Sequence, residues 1–103
     1  MTEKIRWGIL GCAAIAERAF IPAIKKSKQA ELVAIASRDP AKARTWANNF
    51  GIKKAYGSYQ EMLVDPEIEA VYNPLPNHLH QPLTIAALQC GKHVLCEKPL
   101  ALT

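Results

Sequence analysis

Cysteine is scarce in this chain. Its three copies, Cys12, Cys90 and Cys96, fall at spacings that fit no zinc pattern, so no metal site is expected. An odd count also builds a disulfide framework poorly, and free, buried thiols in a reducing cytoplasm are the expectation. Long apolar runs are lacking too: nothing approaches the ~20 apolar residues of a membrane span. Ile9-Leu10-Gly11-Cys12 resembles a lipoprotein cleavage box. The apolar stretch before it is shorter than the roughly 7–15 residues of a signal segment, so it reads as a strand and no membrane partner is expected. Aromatic residues make up only 7% of the chain. The basic groups Lys25, Lys26 and Lys28, and Lys53 and Lys54, are not interleaved with aromatics that would stack on bases. The net charge of +4 is therefore read as solvated faces, without a nucleic-acid partner. Repeats, low-complexity stretches and linkers are absent as well.

What is present is an ordinary globular balance, half hydrophobic and 21% charged, over 103 residues, enough for one domain with one modest core. Short apolar runs alternate with helical stretches. Lys4 to Leu10 reads as a strand ending at Gly11. Residues from Ala14 to about Ser27 carry apolar positions at helical spacing, with Pro22 kinking the helix or restarting it as a first-turn proline. Glu31 to Ser37 does not alternate and reads as a strand buried on both faces. Asp39-Pro40 is a helix N-cap followed by a first-position proline, and that helix stops at Gly51. Lys54 to Tyr56 is a short strand. Ser58 with Glu61 forms a capping box for a helix ending near Asp65-Pro66. Ala70 to Asn73 is a strand. His78 to Cys90 is a helix with Pro82 in its first turn or just before it, closed by Gly91. His93 to Glu97 is the fifth strand. Strands alternating with helices through short loops predict an α/β fold with a parallel sheet and right-handed crossovers.

The first strand runs into Gly11-Cys12-Ala13-Ala14-Ile15-Ala16. The pattern to compare is G-x-G-x-x-G/A between a strand and a helix, where glycines allow the turn and the approach of a pyrophosphate to the helix N-terminus. Only the first glycine is kept; Ala16 is an accepted substitute, and the Ala13 methyl faces the phosphate's approach. About 20 residues further on, an NAD site usually carries a carboxylate for the ribose 2′-hydroxyl. Here Ser37 and Arg38 hold that place. A hydroxyl and a guanidinium suit a 2′-phosphate, which favours NADP over NAD.

Pro74-Leu75-Pro76-Asn77-His78-Leu79-His80, Ala86-Ala87-Leu88 and Gly91-Lys92-His93-Val94-Leu95-Cys96-Glu97-Lys98-Pro99 resemble the Gfo/Idh/MocA oxidoreductase family. Within it they look most like the glucose–fructose oxidoreductase and NADP-dependent xylose or dihydrodiol dehydrogenase branch. The resemblance covers essentially the whole chain, and the Gly-Lys-His-Val…Glu-Lys-Pro string is its specific part. It implies an N-terminal Rossmann domain, doubly wound, of about five strands in the order 3-2-1-4-5. In this chain that domain, residues 1–103, is expected to be incomplete, stopping before a sixth strand, with the C-terminal substrate domain absent. The resemblance also implies that Lys98 is the catalytic residue beside the nicotinamide and substrate. Glu97 would lie near the cofactor ribose, Pro74, Leu75 and Asn77 along the nicotinamide half, and His80 near the same crevice. With Gly11, Cys12, Ala13, Ala14, Ile15, Ser37 and Arg38, these make up the expected cofactor site. The implied partners are a dinucleotide and a sugar-like or polyol substrate, with a homo-oligomer in the longer protein. The 103 residues alone are expected to turn over negligibly. A stand-alone, non-catalytic nucleotide-binding or interaction module is the alternative.

Overall fold

The computed structural model describes residues 4–75 and 77–96, with 77–80 as backbone alone. Strand β1 (Ile5–Leu10) is followed by a π-helical turn (Ala16–Phe20), helix α1 (Ile21–Lys26) and strand β2 (Ala30–Ala36). Then come α2 (Pro40–Phe50), β3 (Lys54–Tyr56), α3 (Tyr59–Leu63), β4 (Ala70–Asn73), α4 (Asn77–Gln89) and β5 (His93–Cys96). The strands form one sheet in the order β3-β2-β1-β4-β5, and every pairing is parallel. The expected α/β doubly wound order is thus observed.

Local chemistry accounts for the punctuation. The Asp39 carboxylate accepts from the Ala41 and Lys42 N–H groups, and Pro40 opens α2 where its missing N–H costs nothing. Gly51 ends the helix at φ 68°, the left-handed region that favours glycine. The Ser58 hydroxyl oxygen accepts from the Glu61 N–H at the start of α3. Pro22 falls in the first turn of α1, immediately after the π-helical turn. That wider turn absorbs the break and lays Phe20 flat on Tyr72, ring centroids 4.1 Å apart.

Two expectations are corrected. The thiols are free but not buried: Cys90, at the end of α4, is exposed, and Cys12 and Cys96 are half-buried. Pro82 is the sixth residue of α4, not a first-turn residue, because the helix already begins at Asn77. It removes one intrahelical hydrogen bond, and the burial of Leu83 and Ala87 against the sheet holds the helix in place despite that loss.

The sheet is buried on both faces. On one side Ile9, Ile35 and Tyr72 pack with Ile21, Ala43 and Ala47 of the helices; on the other Leu10, Ala34 and Val71 pack with Met62, Leu63, Leu83 and Ala87. Each large aliphatic side chain fully buried here contributes about 1.5–3 kcal/mol. The two-sided burial explains the unbroken apolar run of β2.

Around the amino ends of the strands lies an ionic network. Lys54 Nζ stands 2.8 Å from Asp65 Oδ2 and 2.6 Å from Glu67 Oε1. The Tyr56 hydroxyl donates to Asp65, and the buried Lys92 ammonium donates to the Asp65 carbonyl at 2.7 Å. Arg6 Nε donates to the Glu67 carbonyl at 2.6 Å. Lys54 and Tyr56 together hold the Asp65 carboxyl down to about 2.

Candidate cofactor-binding site

The opposite end of the sheet carries the cleft. Because all strands run the same way, the loops after β1, β2 and β4 emerge on one side, where ligands bind in open α/β sheets. They enclose a cleft of about 410 Å³. Gly11, Cys12 and Ala13 line it from the end of β1, Ser37, Arg38 and Asp39 from the end of β2, and Pro74 and Leu75 from the end of β4. Segments more than 60 residues apart in the chain, picked out separately by sequence, thus share one wall-to-wall space.

Each wall has a local cause. The Gly11 N–H donates to the Ala36 carbonyl at 2.7 Å, which ties the turn to the end of β2. Gly11 has φ 91°, and a side-chain carbon built on it would lie 2.7 Å from Leu75 Cδ2. Only glycine meets both conditions without strain. Ser37 is buried; its N–H donates to the Tyr56 carbonyl and its hydroxyl oxygen accepts from the Asp39 N–H. The fully buried Asn73 turns the chain after β4: its Oδ1 accepts from the Leu75 N–H at 3.2 Å. Its Nδ2 donates to Thr84 Oγ1, which lies 3.4 Å from Cys96 Sγ. Burial pushes the Cys12 thiol up, against the pull of the nearby Lys42 ammonium and of the Ser37 hydroxyl.

These residues fit a dinucleotide. The bare Gly11 Cα leaves the turn narrow, and a helical run begins at residue 14; the Ala16 and Glu17 N–H groups donate to the Ala13 carbonyl, so the N–H groups of residues 14 and 15 are those left to meet an anion. The Ala13 methyl borders the cleft without filling it. Among the described residues no non-glycine residue has a positive φ, so alanine in place of the second glycine is not strained. On the β2 side two cations, Arg38 and Lys42, face the space, while the Asp39 carboxylate is engaged in capping α2.

Not every expected residue gathers here. Ala14 and Ile15 begin the helical run and are not among the cleft's walls. Asn77 and His80 lie in the first turn of α4, described as backbone alone. Glu97 and Lys98 lie outside the described residues. Three lining residues stood outside the expected site: Asp39, which caps α2, Lys42, in the first turn of α2, and Tyr59, next to the Ser58 cap. The Asp39-Pro40 cap, which puts Lys42 in the first turn of α2 just past Ser37 and Arg38, was the available signal for Lys42.

Comparison with known proteins agrees with this geometry. The family profile described as an oxidoreductase family with an NAD-binding Rossmann fold matches residues 5–103. An uncharacterized oxidoreductase of Rhizobium meliloti is 60% identical over 97% of this chain and 30% of its own length. D-xylose 1-dehydrogenase (NADP(+)) 2 of Haloferax volcanii is 52% identical over 91% of this chain and 29% of its own. The crystal structure of a 3-ketoreductase from Actinomadura kijaniata in complex with TDP-benzene and NADP superposes with a TM-score of 0.88 at 43% identity, covering 95% of this chain and 31% of that one. The chain therefore spans about 30% of the length of the curated relatives it matches. With the strand order, the three-loop cleft and a match running from the first strand to the last residue, the chain belongs to the Gfo/Idh/MocA oxidoreductase family.

Proposed function

We propose that residues 1–103 form the dinucleotide-binding domain of a cytoplasmic, NADP-dependent oxidoreductase acting on the CH–OH group of a sugar-like substrate. The observation that carries the cofactor preference is the pairing of Arg38 and Lys42 beside Ser37 at the end of β2, where an NAD site would present a carboxylate. Two cations and a hydroxyl suit a 2′-phosphate, and Asp39, the nearest acid, is occupied by its helix. In this reading the turn at Gly11, Cys12 and Ala13 and the helical start at Ala14 and Ile15 hold the diphosphate. Pro74, Leu75, Asn77 and His80 lie along the cofactor toward its nicotinamide end, and Glu97 holds the ribose there. The sugar-like substrate class is supported by the xylose dehydrogenase and the 3-ketoreductase among the relatives.

The dinucleotide supplies the hydride chemistry when bound. The chain's own part is to orient it and to manage a proton. Lys98, two residues past β5 in the sequence, is the residue proposed to hold or donate that proton at the substrate oxygen. Titrating the chain with NADPH and with NADH tests the cofactor reading. NADPH is expected to bind more tightly, and Arg38→Ala to weaken it roughly tenfold to hundredfold while sparing NADH, the range of a lost charge-assisted bond. Equal affinities for the two, or an unchanged Arg38→Ala, would reject it.

A further inference from the structure

Tyr59 enters the cleft from α3, and no part of the dinucleotide pattern called for it. Its residue is 8% exposed and packs among Leu10, Met62 and Leu63. Its ring thus belongs to the core, but its hydroxyl reaches the cleft floor, 3.9 Å from where a side-chain carbon on Gly11 would stand. Among the described residues that hydroxyl has no hydrogen-bond partner. Buried phenols normally find one, since an unsatisfied buried donor loses its hydration without replacement. Phenylalanine would fill the same core position without that cost.

We infer that the Tyr59 hydroxyl is a binding contact for the adenosine half of the dinucleotide, donating to an oxygen of its ribose or 5′-phosphate. This rests on the dinucleotide reading above. The half follows from the nearest polar neighbours: the Tyr59 hydroxyl stands beside the Gly11 turn, and Ser37, Arg38 and Lys42 line the same cleft, while Pro74 and Leu75 close it on the side toward the nicotinamide. A donor on that floor faces the sugar–phosphate backbone between the Gly11 turn and the 2′ position.

Calorimetric titration of the chain and of Tyr59→Phe with NADP and with adenosine 2′,5′-bisphosphate tests the assignment. The bisphosphate carries the adenosine half alone. Tyr59→Phe is expected to weaken both ligands by the same factor, about three- to tenfold, the worth of one hydrogen bond. The melting temperature of the unliganded variant should equal or exceed that of the parent, because a buried unpartnered hydroxyl has been removed. Undiminished affinity in the variant overturns the inference, as does a loss confined to NADP, which would move the contact to the nicotinamide half. A drop of several degrees in the unliganded melting temperature marks a structural role and overturns it equally. If the parent binds neither ligand, the dinucleotide reading itself falls, and this assignment with it.

Discussion

Gly11 answers to two neighbours at once. Its φ of 91° is costly for any side chain, and Leu75 Cδ2 occupies the place where a side-chain carbon would go. Gly11→Ala is expected to destabilise the chain by about 1–3 kcal/mol and to push Leu75 into the cleft. Urea denaturation measures the first effect; a variant as stable as its parent would show that the turn relaxes freely. Gly11, Cys12, Ala13, Ser37, Arg38, Pro74 and Leu75 were legible from sequence because each sits within a few residues of a strand end, and strand ends can be counted. Lys42 and Tyr59 were not legible in the same way. They reach the cleft from helices, and their direction depends on how α2 and α3 pack against the sheet, which a linear pattern does not carry.

At the scale of elements, caps and turns were read well and helix interiors less so. The Asp39-Pro40 and Ser58 caps and the Gly51 stop depend on adjacent residues and stand as expected. Asp39→Ala should cost about 1 kcal/mol, read as a lower urea midpoint with an unchanged slope. Pro82 was misplaced because α4 extends on both sides of it, and the burial of Leu83 and Ala87 against the sheet overrides a proline's local preference. The turn between α3 and β4 is pinned by Asp65, whose carboxyl drops from an ordinary 3.8 to about 2 beside Lys54 and Tyr56. A depressed carboxyl stabilises the fold above its unfolded value and loses that contribution as the pH falls toward the folded one. Stability should therefore decline between about pH 4 and pH 2, and Asp65→Asn should flatten that part of the profile while lowering the plateau above it. Thermal melts across that range, with an equally steep acid limb in the variant, would assign the effect elsewhere.

Seen whole, the sheet ends on β5 among the described residues, with Leu95 on that strand 47% exposed. An apolar edge strand is a template for pairing with another chain. Leu95→Lys is expected to reduce concentration-dependent association of the 103-residue chain without lowering its melting temperature; light scattering unchanged by the substitution would clear this edge. The parallel arrangement has one more consequence. The charged knot of Lys54, Asp65, Glu67 and Lys92 and the cofactor cleft occupy opposite poles of the same sheet, and none of these four lines the cleft; Tyr56, bonded to Asp65 through its hydroxyl and to Ser37 through its carbonyl, bridges the two. Robustness to acid or heat can be adjusted at one pole by substitutions whose effects add to, and do not interfere with, those that retune nucleotide choice at the other.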